Sequence, residues 1–495
     1  MKKMQIIRRI LCLLLVMFLL TPAVETKAEA NYYTYVYDYF GEQRESPDAY
    51  TAEKVVMGID YGIGNFNNPQ GMFTTENKIY IVDTGNNRIV VLKVEEDRSI
   101  SLEKEIKTFS NNGAEDSFDA PNDIYVRENG DMYICDTNNN RIVQIDKDLK
   151  LVQEIVKPVD ETYDASQEFL PTKAVVDPAG RILTIAKNVN KGVMQYSPDG
   201  RFIGYIGANE VTFSMIDYIW KKLSTQAQRA QMEQFVPTEY NNIALDKDGF
   251  IYVTTSVFDE WDLLGDSAKP IRKLNSMGTD ILIKNGNYPP IGDITWGNAS
   301  GVSGPSKMVD ITALENDTYY VVDRVRGRLF GYDSQGNLLY AFGGIGNAAG
   351  TFLYPIALDH IGYDLYVLDQ RAGSLTRFKL TEYGTLINEA LAAYKMGDYD
   401  LSAEYWRQVI RVNGNYDLAY IGIGRALLRQ ERYEEAMEYF EAKYDAENYS
   451  KAYKLWRKEW IEEHIGIFMV VLIGALVLNW GIKKIKKIKK EAMEE

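Results

Sequence analysis

The chain has 495 residues, 46% of them hydrophobic and 25% charged, and a formal net charge of −15. That length exceeds one ordinary core, so two or more units are expected. The first 30 residues and the last 13 each carry a net +3, which leaves −21 between them and argues against nucleic acid or anionic lipid as a partner of the broad surface.

The N-terminus carries Lys2, Lys3, Arg8 and Arg9, then the apolar run ILCLLLVMFLL from Ile10 to Leu20, then AEA at 28–30. A basic start, a short apolar run and small residues before the cut describe a secretory signal peptide over 1–30, cleaved after Ala30. The run is short of the ~20 residues a membrane span needs. Cys12 lies at the start of the run, not after it, which is the wrong place for a lipoprotein cysteine. Once the leader is gone Cys135 is the only cysteine, so no disulfide can form within the chain.

The segment IVDTGNNRIV at 81–90 returns as ICDTNNNRIV at 134–143. Each follows an alternating run, KIYIVD at 78–83 and DMYICD at 131–136, whose period of two predicts a strand. About thirteen residues ahead of each motif Asp another strand opens, at NPQGMF and APNDIY, and two more follow the Asn-rich turn. Four antiparallel strands repeating every ~40–50 residues predict a propeller blade. The same frame returns more faintly at 169–196, 235–256, 305–333 and 352–378, making six units. Six four-stranded blades close into a ring without exposed sheet edges. The segment YYTYVYDYFGEQRESPDAYTAEKVVMG at 32–58 reads as two strands around a turn and is expected to complete blade six. A helical insertion is predicted over about 212–235, and a second insertion, 256–271, interrupts blade four. GGIGNAAG at 343–350 is followed by a proline-led strand and no helix, so it reads as an inter-blade loop and not as a dinucleotide site.

These residues carry a family resemblance. The pattern P-x-x-I followed by IYVVDxxxNRI and YDxxGxxxxxFG resembles the NHL repeat, most specifically in blades one and two and well in blade five (DRVRGR). The resemblance spans residues 31–384 and implies a mainly β, six-bladed NHL-type β-propeller. Asp83 with Arg88, Asp136 with Arg141, and Asp323 with Arg328 then sit where they can pair across the turn joining two strands of a blade. The intervening Asn residues tolerate the left-handed conformation such a turn needs.

From Leu386 the period changes to 3.6. Tyr399 and Tyr433 are 34 residues apart, the tetratricopeptide spacing. The second unit resembles that family closely, with Tyr420, Gly424, Tyr433, Ala436 and Phe440 at its expected positions. Residues 385–463 are therefore read as a small all-α tetratricopeptide-like segment, its last helix capping the stack. Residues 465–482 are apolar except for Asn479 near their end, and with His464 at the edge the segment 464–482 is long enough to span a membrane as a transmembrane helix. The lysine block KKIKKIKK at 483–490 follows, which holds the tail 483–495 in the cytoplasm. Trp460 and Trp480 sit at the two ends of the span, where interfacial aromatics belong. The reading is a single-pass protein of the cell membrane with its body outside the cytoplasm.

Fold alone does not decide function. The first reading is a binding or scaffold protein without catalytic residues, engaging a protein or glycan partner outside the cell through a propeller face and the helical groove, with no nucleic-acid partner. The alternative is a metal-dependent hydrolase of the gluconolactonase kind, which shares the six-bladed fold. Counting back thirteen residues from each motif Asp gives Asp123, Lys173, Asn242 and Asp310, with Gly71 in blade one, as a ring at one mouth of the channel. Asp123, Asn242 and Asp310 offer hard oxygens of the type that hold Ca2+ or Mg2+. The competing reading is a polar rim neutralised by Lys173. A lyase resembling propellers that use several histidines is disfavoured, because His360 is the one histidine in the propeller region and His464 belongs to the membrane edge.

Overall fold

A computed structural model of the chain describes residues 32–207, 240–256, 258, 262–263, 268–286, 288–293 and 304–494. The expected signal peptide (1–30), the helical insertion (212–235) and much of the insertion at 256–271 lie outside the described residues. The body is the expected six-bladed ring. Blade one is Gly71–Thr74, Lys78–Asp83, Arg88–Val94 and Ile100–Ile106. Blade two is Pro121–Val126, Met132–Asp136, Arg141–Ile145 and Leu151–Ile155. Blade three is Pro171–Val176, Ile182–Ala186, Val193–Tyr196 and Phe202–Ile206. Blade four has described strands Asn242–Leu245, Ile251–Thr254 and Ile271–Leu274. Blade five runs Met308–Ala313, Tyr319–Asp323, Arg328–Tyr332 and Leu338–Gly343. Blade six has Pro355–Ile361, Asp364–Asp369 and Ser374–Leu380, with the N-terminal strand Tyr50–Met57 as its fourth.

Ring closure differs from expectation in one respect. Only Tyr50–Met57 joins blade six. The preceding hairpin, Thr34–Tyr37 and Gln43–Ser46, extends blade five to six strands through Tyr35 opposite Ala341. Two contacts hold it there. The Arg328 guanidinium lies 4.3 Å and 5.1 Å from the Tyr33 and Tyr35 rings, and the Tyr35 hydroxyl donates to buried Asp293 at 2.5 Å.

The repeated motif is a clamp on the backbone. Asp83, Asp136, Asp323 and Asp369 each accept from a backbone N–H just ahead of their blade's inner strand, on Asn67 (2.7 Å), Asp119 (2.8 Å), Lys307 (2.9 Å) and Leu353 (2.6 Å). The carboxylate pins the incoming loop to the end of the second strand and satisfies a donor that would otherwise be orphaned. Asn87 and Asn140 adopt φ of +51° and +56° in the turn, and Gly327 and Gly373 take that place in blades five and six. Arg88 reaches Asp83 at 2.7 Å and Arg141 reaches Asp136 at 2.8 Å. The third expected pair does not form. Arg328 is drawn away to the hairpin and donates to the Tyr33 and Gly343 carbonyls, while Arg326 approaches Asp323 at 3.7 Å.

Five helices follow: α1 (Glu382–Met396), α2 (Tyr399–Val412), α3 (Asp417–Arg429), α4 (Tyr433–Glu441) and α5 (Ala446–Glu494). Thr381 caps α1 by accepting from Gly384 N–H, and Gly397 ends it in the left-handed region. Gly424 is a contact glycine: a Cβ there would meet the Phe440 ring at 2.6 Å. Small residue against aromatic is how α3 and α4 approach, as the repeat spacing anticipated. The largest apolar cluster joins the closing strand, blades five and six and these helices into one core. Helix α5 continues without a break from the helical stack through the apolar stretch, and it is the one helix among the described residues long and apolar enough to cross a membrane.

Candidate binding surface at the channel mouth

The predicted ring residues converge. Each is the same position of an inner strand, and in blades two, three and five the register slips there, between Pro121 and Asp123, Pro171 and Lys173, and Met308 and Asp310. Such a bulge re-aims the side chain. Lys173 Nζ lies 3.1 Å from Asp123 Oδ1, and Asn242 Nδ2 donates to Asp310 Oδ1. Backbone amides complete both carboxylates: Ala174 to Asp123 at 3.2 Å, and Leu358 and Ile311 to Asp310 at 2.7 and 2.8 Å. Gly71 is small by necessity, because a Cβ there would lie 2.8 Å from Asp123 Oδ1. All four polar residues are buried.

Burial raises both acids above the usual carboxylate range, Asp310 to about 6, against the opposing pull of Lys173 and the backbone donors. Burial acts on Lys173 in the opposite sense, but the Asp123 and Asp310 carboxylates outweigh it and lift the amine to about 12. Lys173 and Asp123 therefore form an ion pair, and Asp310 is the acid lifted to about 6. Its folded state keeps a proton to higher pH than the unfolded chain does, so its contribution to stability falls between about pH 4 and pH 6 and is level above. In Asp310→Asn that fall, on the order of 3 kcal/mol, should be missing from the unfolding free energy measured across pH 4–7. Parallel wild-type and variant curves would show that Asp310 is not the titrating group.

The oxygens of Asp123 and Asp310 face the N–H donors Lys173 and Asn242, which a metal would have to displace. Among the described residues, no three His, Cys, Asp or Glu side chains gather as metal ligands.

A second ring lies two residues further along the inner strands and on the same face of them. It holds Phe73, Tyr125, Thr312 and Asp359. The Phe73 and Tyr125 rings are 4.9 Å apart and half-buried. Asp359 accepts from Thr74 N–H at 2.7 Å, and the Thr312 hydroxyl lies 3.0 Å from Asp359 and 2.7 Å from His360 Nδ1. Counting +2 from Gly71, Asp123 and Asp310 identifies Phe73, Tyr125 and Thr312 in the sequence, whereas Asp359 belongs to blade six, which has no residue among the predicted ring positions.

The helices flank this end of the ring. Asn316, in the turn after the inner strand of blade five, donates to Asn388 of α1 at 2.8 Å. Its neighbour Asp317 pairs with Lys395 at 2.5 Å, and Tyr416, before α3, donates to the Leu339 carbonyl at 2.8 Å. The propeller is thus packed against α1 and the start of α3.

A family profile described as tetratricopeptide repeat matches residues 387–451. No curated protein sequence matches the chain. Among solved structures it is similar to virginiamycin B lyase from Staphylococcus aureus (13% identity, 63% of this chain and 95% of that one, TM-score 0.39). It is also similar to a protein of unknown function from Bacteroides thetaiotaomicron (11% identity, 69% and 80%, TM-score 0.43) and to one from Bacteroides caccae (10% identity, 63% and 93%, TM-score 0.33). The class is a six-bladed β-propeller joined to a tetratricopeptide segment and one long apolar C-terminal helix. The combination of a propeller with a tetratricopeptide segment suggests a protein-interaction scaffold.

Proposed function

We propose that the chain is a membrane-tethered binding or scaffold protein that presents its propeller outside the cytoplasm to a protein or glycan partner. The observation that carries this is mechanical continuity. A buried chain of hydroxyls and one amide, Tyr50 to Tyr320 (3.3 Å), Tyr320 to Tyr340 (2.6 Å) and Tyr340 to Asn388 (3.1 Å), locks the propeller to α1. The helical stack then runs into α5 without a linker. A head fixed on a stalk suits holding a partner at a set height and orientation. Binding is favoured over metal-dependent hydrolysis because the first-ring acids are already engaged by Lys173 and Asn242. The second ring, with its aromatic pair beside Thr312 and Asp359, offers the apolar contact and the polar anchors a binding mouth uses.

The test uses intact, wall-stripped cells. Added protease should digest the body and leave a small C-terminal fragment. A photoreactive residue in place of Phe73 or Tyr125 should cross-link to a partner, while one at exposed Val152, on the outer strand of blade two, should not. Full protection of the body sinks the topology, and labelling at Val152 equal to that at the mouth sinks the binding face.

A further inference from the structure

A second surface lies where the N-terminal hairpin meets the helices. Phe40 is 70% exposed, Tyr444 63% and Tyr39 42%. Single exposed apolar residues are ordinary, but these three touch. Ring centroids are 5.3 Å apart for Tyr39 and Phe40, 5.7 Å for Tyr39 and Tyr444, and 5.9 Å for Phe40 and Tyr444. The cluster joins segments some 400 residues apart in sequence, so it exists only in the folded chain.

Its display is built. Asp38 Oδ1 accepts from the backbone N–H groups of Phe40 (2.9 Å) and Glu42 (3.0 Å), which fixes the hairpin tip. Tyr39 N–H donates to Asp417 of α3 at 3.3 Å. Tyr444 holds φ at +60°, a conformation costly for a bulky residue and one that structures keep where the surroundings impose it. The surface continues over α3. Lys443 pairs with Asp417 at 2.7 Å and sits 4.5 Å over the Tyr420 ring, and Tyr420 packs 6.4 Å from Tyr439.

We propose that this aromatic strip docks the sugar rings of an uncharged saccharide chain. The inference rests on the binding function proposed above and names one class of partner. Aromatic faces carry negative charge density, and the C–H bonds on a pyranose face are polarised positive by their neighbouring oxygens. The rings are tilted or edge-on to one another, so each turns part of a face to solvent, and with Asp417, Lys443 and tyrosine hydroxyls at their border they offer contacts to both the face and the hydroxyl edge of a sugar. Charge decides against other ligands. Arg44 pairs with both Asp38 at 2.8 Å and Glu42 at 2.7 Å, and Lys443 pairs with Asp417, so these three acids and two cations leave the strip a net charge of only −1. An anionic glycan would be repelled by the acidic body, and a basic peptide would be attracted all over it rather than here. A fixed tip adds selectivity for a rigid ligand, because little ordering is left to be done on binding.

The test is calorimetry on the full chain in nanodiscs with four probes: cellohexaose, maltohexaose, xylohexaose and decaproline. At least one hexasaccharide should bind. Phe40→Ala and Tyr444→Ala should each weaken it by about tenfold or more, as central aromatic contacts do, with the melting temperature unchanged and Phe40→Trp retaining affinity. Saccharide binding that survives both alanine variants but is lost in Phe73→Ala overturns the strip and leaves the channel mouth as the binding site. Binding of decaproline alone, or of none of the four probes, overturns the saccharide assignment. If no probe binds and the mouth also fails to cross-link, the binding function itself falls.

Discussion

Asp83→Ala is expected to destabilise the propeller by about 3–5 kcal/mol, and Asp136→Ala by only about 1–3 kcal/mol. The two residues occupy the same place in adjacent blades, and both are fully buried. The difference lies in the arginine each leaves behind. The Arg88 side chain is 5% exposed. Without Asp83 it keeps one carboxylate, Glu105 at 2.7 Å, and the Ile63 carbonyl. Its Nη2 has no hydrogen-bond partner among the described residues even with Asp83 in place. Arg141 is 13% exposed. It would keep Asp116, which meets both terminal nitrogens at 2.9 and 3.0 Å, and Glu154 at 2.8 Å. A buried cation that loses its main counter-ion is costly, whereas one with two others nearby is largely compensated. Both variants also lose the loop clamp, from Asn67 N–H in one case and Asp119 N–H in the other. Denaturant unfolding followed by fluorescence orders the two. Equal losses would assign the cost to the clamp alone, and a negligible loss in Asp83→Ala would remove the motif from the stability of the blade.

The parts of the fold legible in the sequence are those set by local pattern. Period-two runs ending in Asp and an Asn-rich turn mark the second strand of each blade, and counting back to Asp123, Lys173, Asn242 and Asp310 yields residues that do converge, because the ring repeats one register. The helical segment is legible for the same reason: Gly424 and Phe440 meet wherever two such helices pair. What the pattern does not hold is the choice among long-range partners. The hairpin at 34–46 has strand periodicity and suits either blade five or blade six. The cation–π contacts of Arg328, nearly 300 residues away, decide for blade five and break the expected pair with Asp323. The burial of α1 against blade five was equally hidden, since Asn388 reads as an ordinary polar helix residue until Tyr340 is placed beside it. At the channel, oxygen-rich residue types suggested a cation, yet their neighbours Lys173 and Asn242 turned those oxygens toward protein donors.

Tyr50→Ala should be among the most damaging single substitutions in the chain, at about 3–5 kcal/mol, the usual cost of truncating a buried aromatic. Tyr50 begins the closing strand and pairs with Leu380 at the end of blade six. Its ring stacks on Phe342 of blade five at 5.0 Å and meets Tyr320 and Tyr340 edge-on at 5.9 and 5.8 Å. Its hydroxyl donates to the Tyr363 carbonyl at 3.0 Å. One side chain thus ties the closing strand to both neighbouring blades, and the hydroxyl chain through Tyr320 and Tyr340 carries the connection to Asn388 of α1. Tyr50→Phe keeps the packing and removes only the hydroxyl, so it should cost about 1–2 kcal/mol. That contrast separates cavity from hydrogen bonding. The coupling is read from a double-mutant cycle of Tyr50→Phe with Asn388→Ala. The two residues share no direct contact, so independent sites would add within about 0.5 kcal/mol. If the buried hydroxyls act as one network, the interaction energy should exceed that figure, and loss of the network should speed proteolysis at the junction between Leu380 and α1. Simple additivity with an unchanged cleavage rate would mean that these hydroxyls do not act as one network, and that the stalk does not fix the orientation of the head through them.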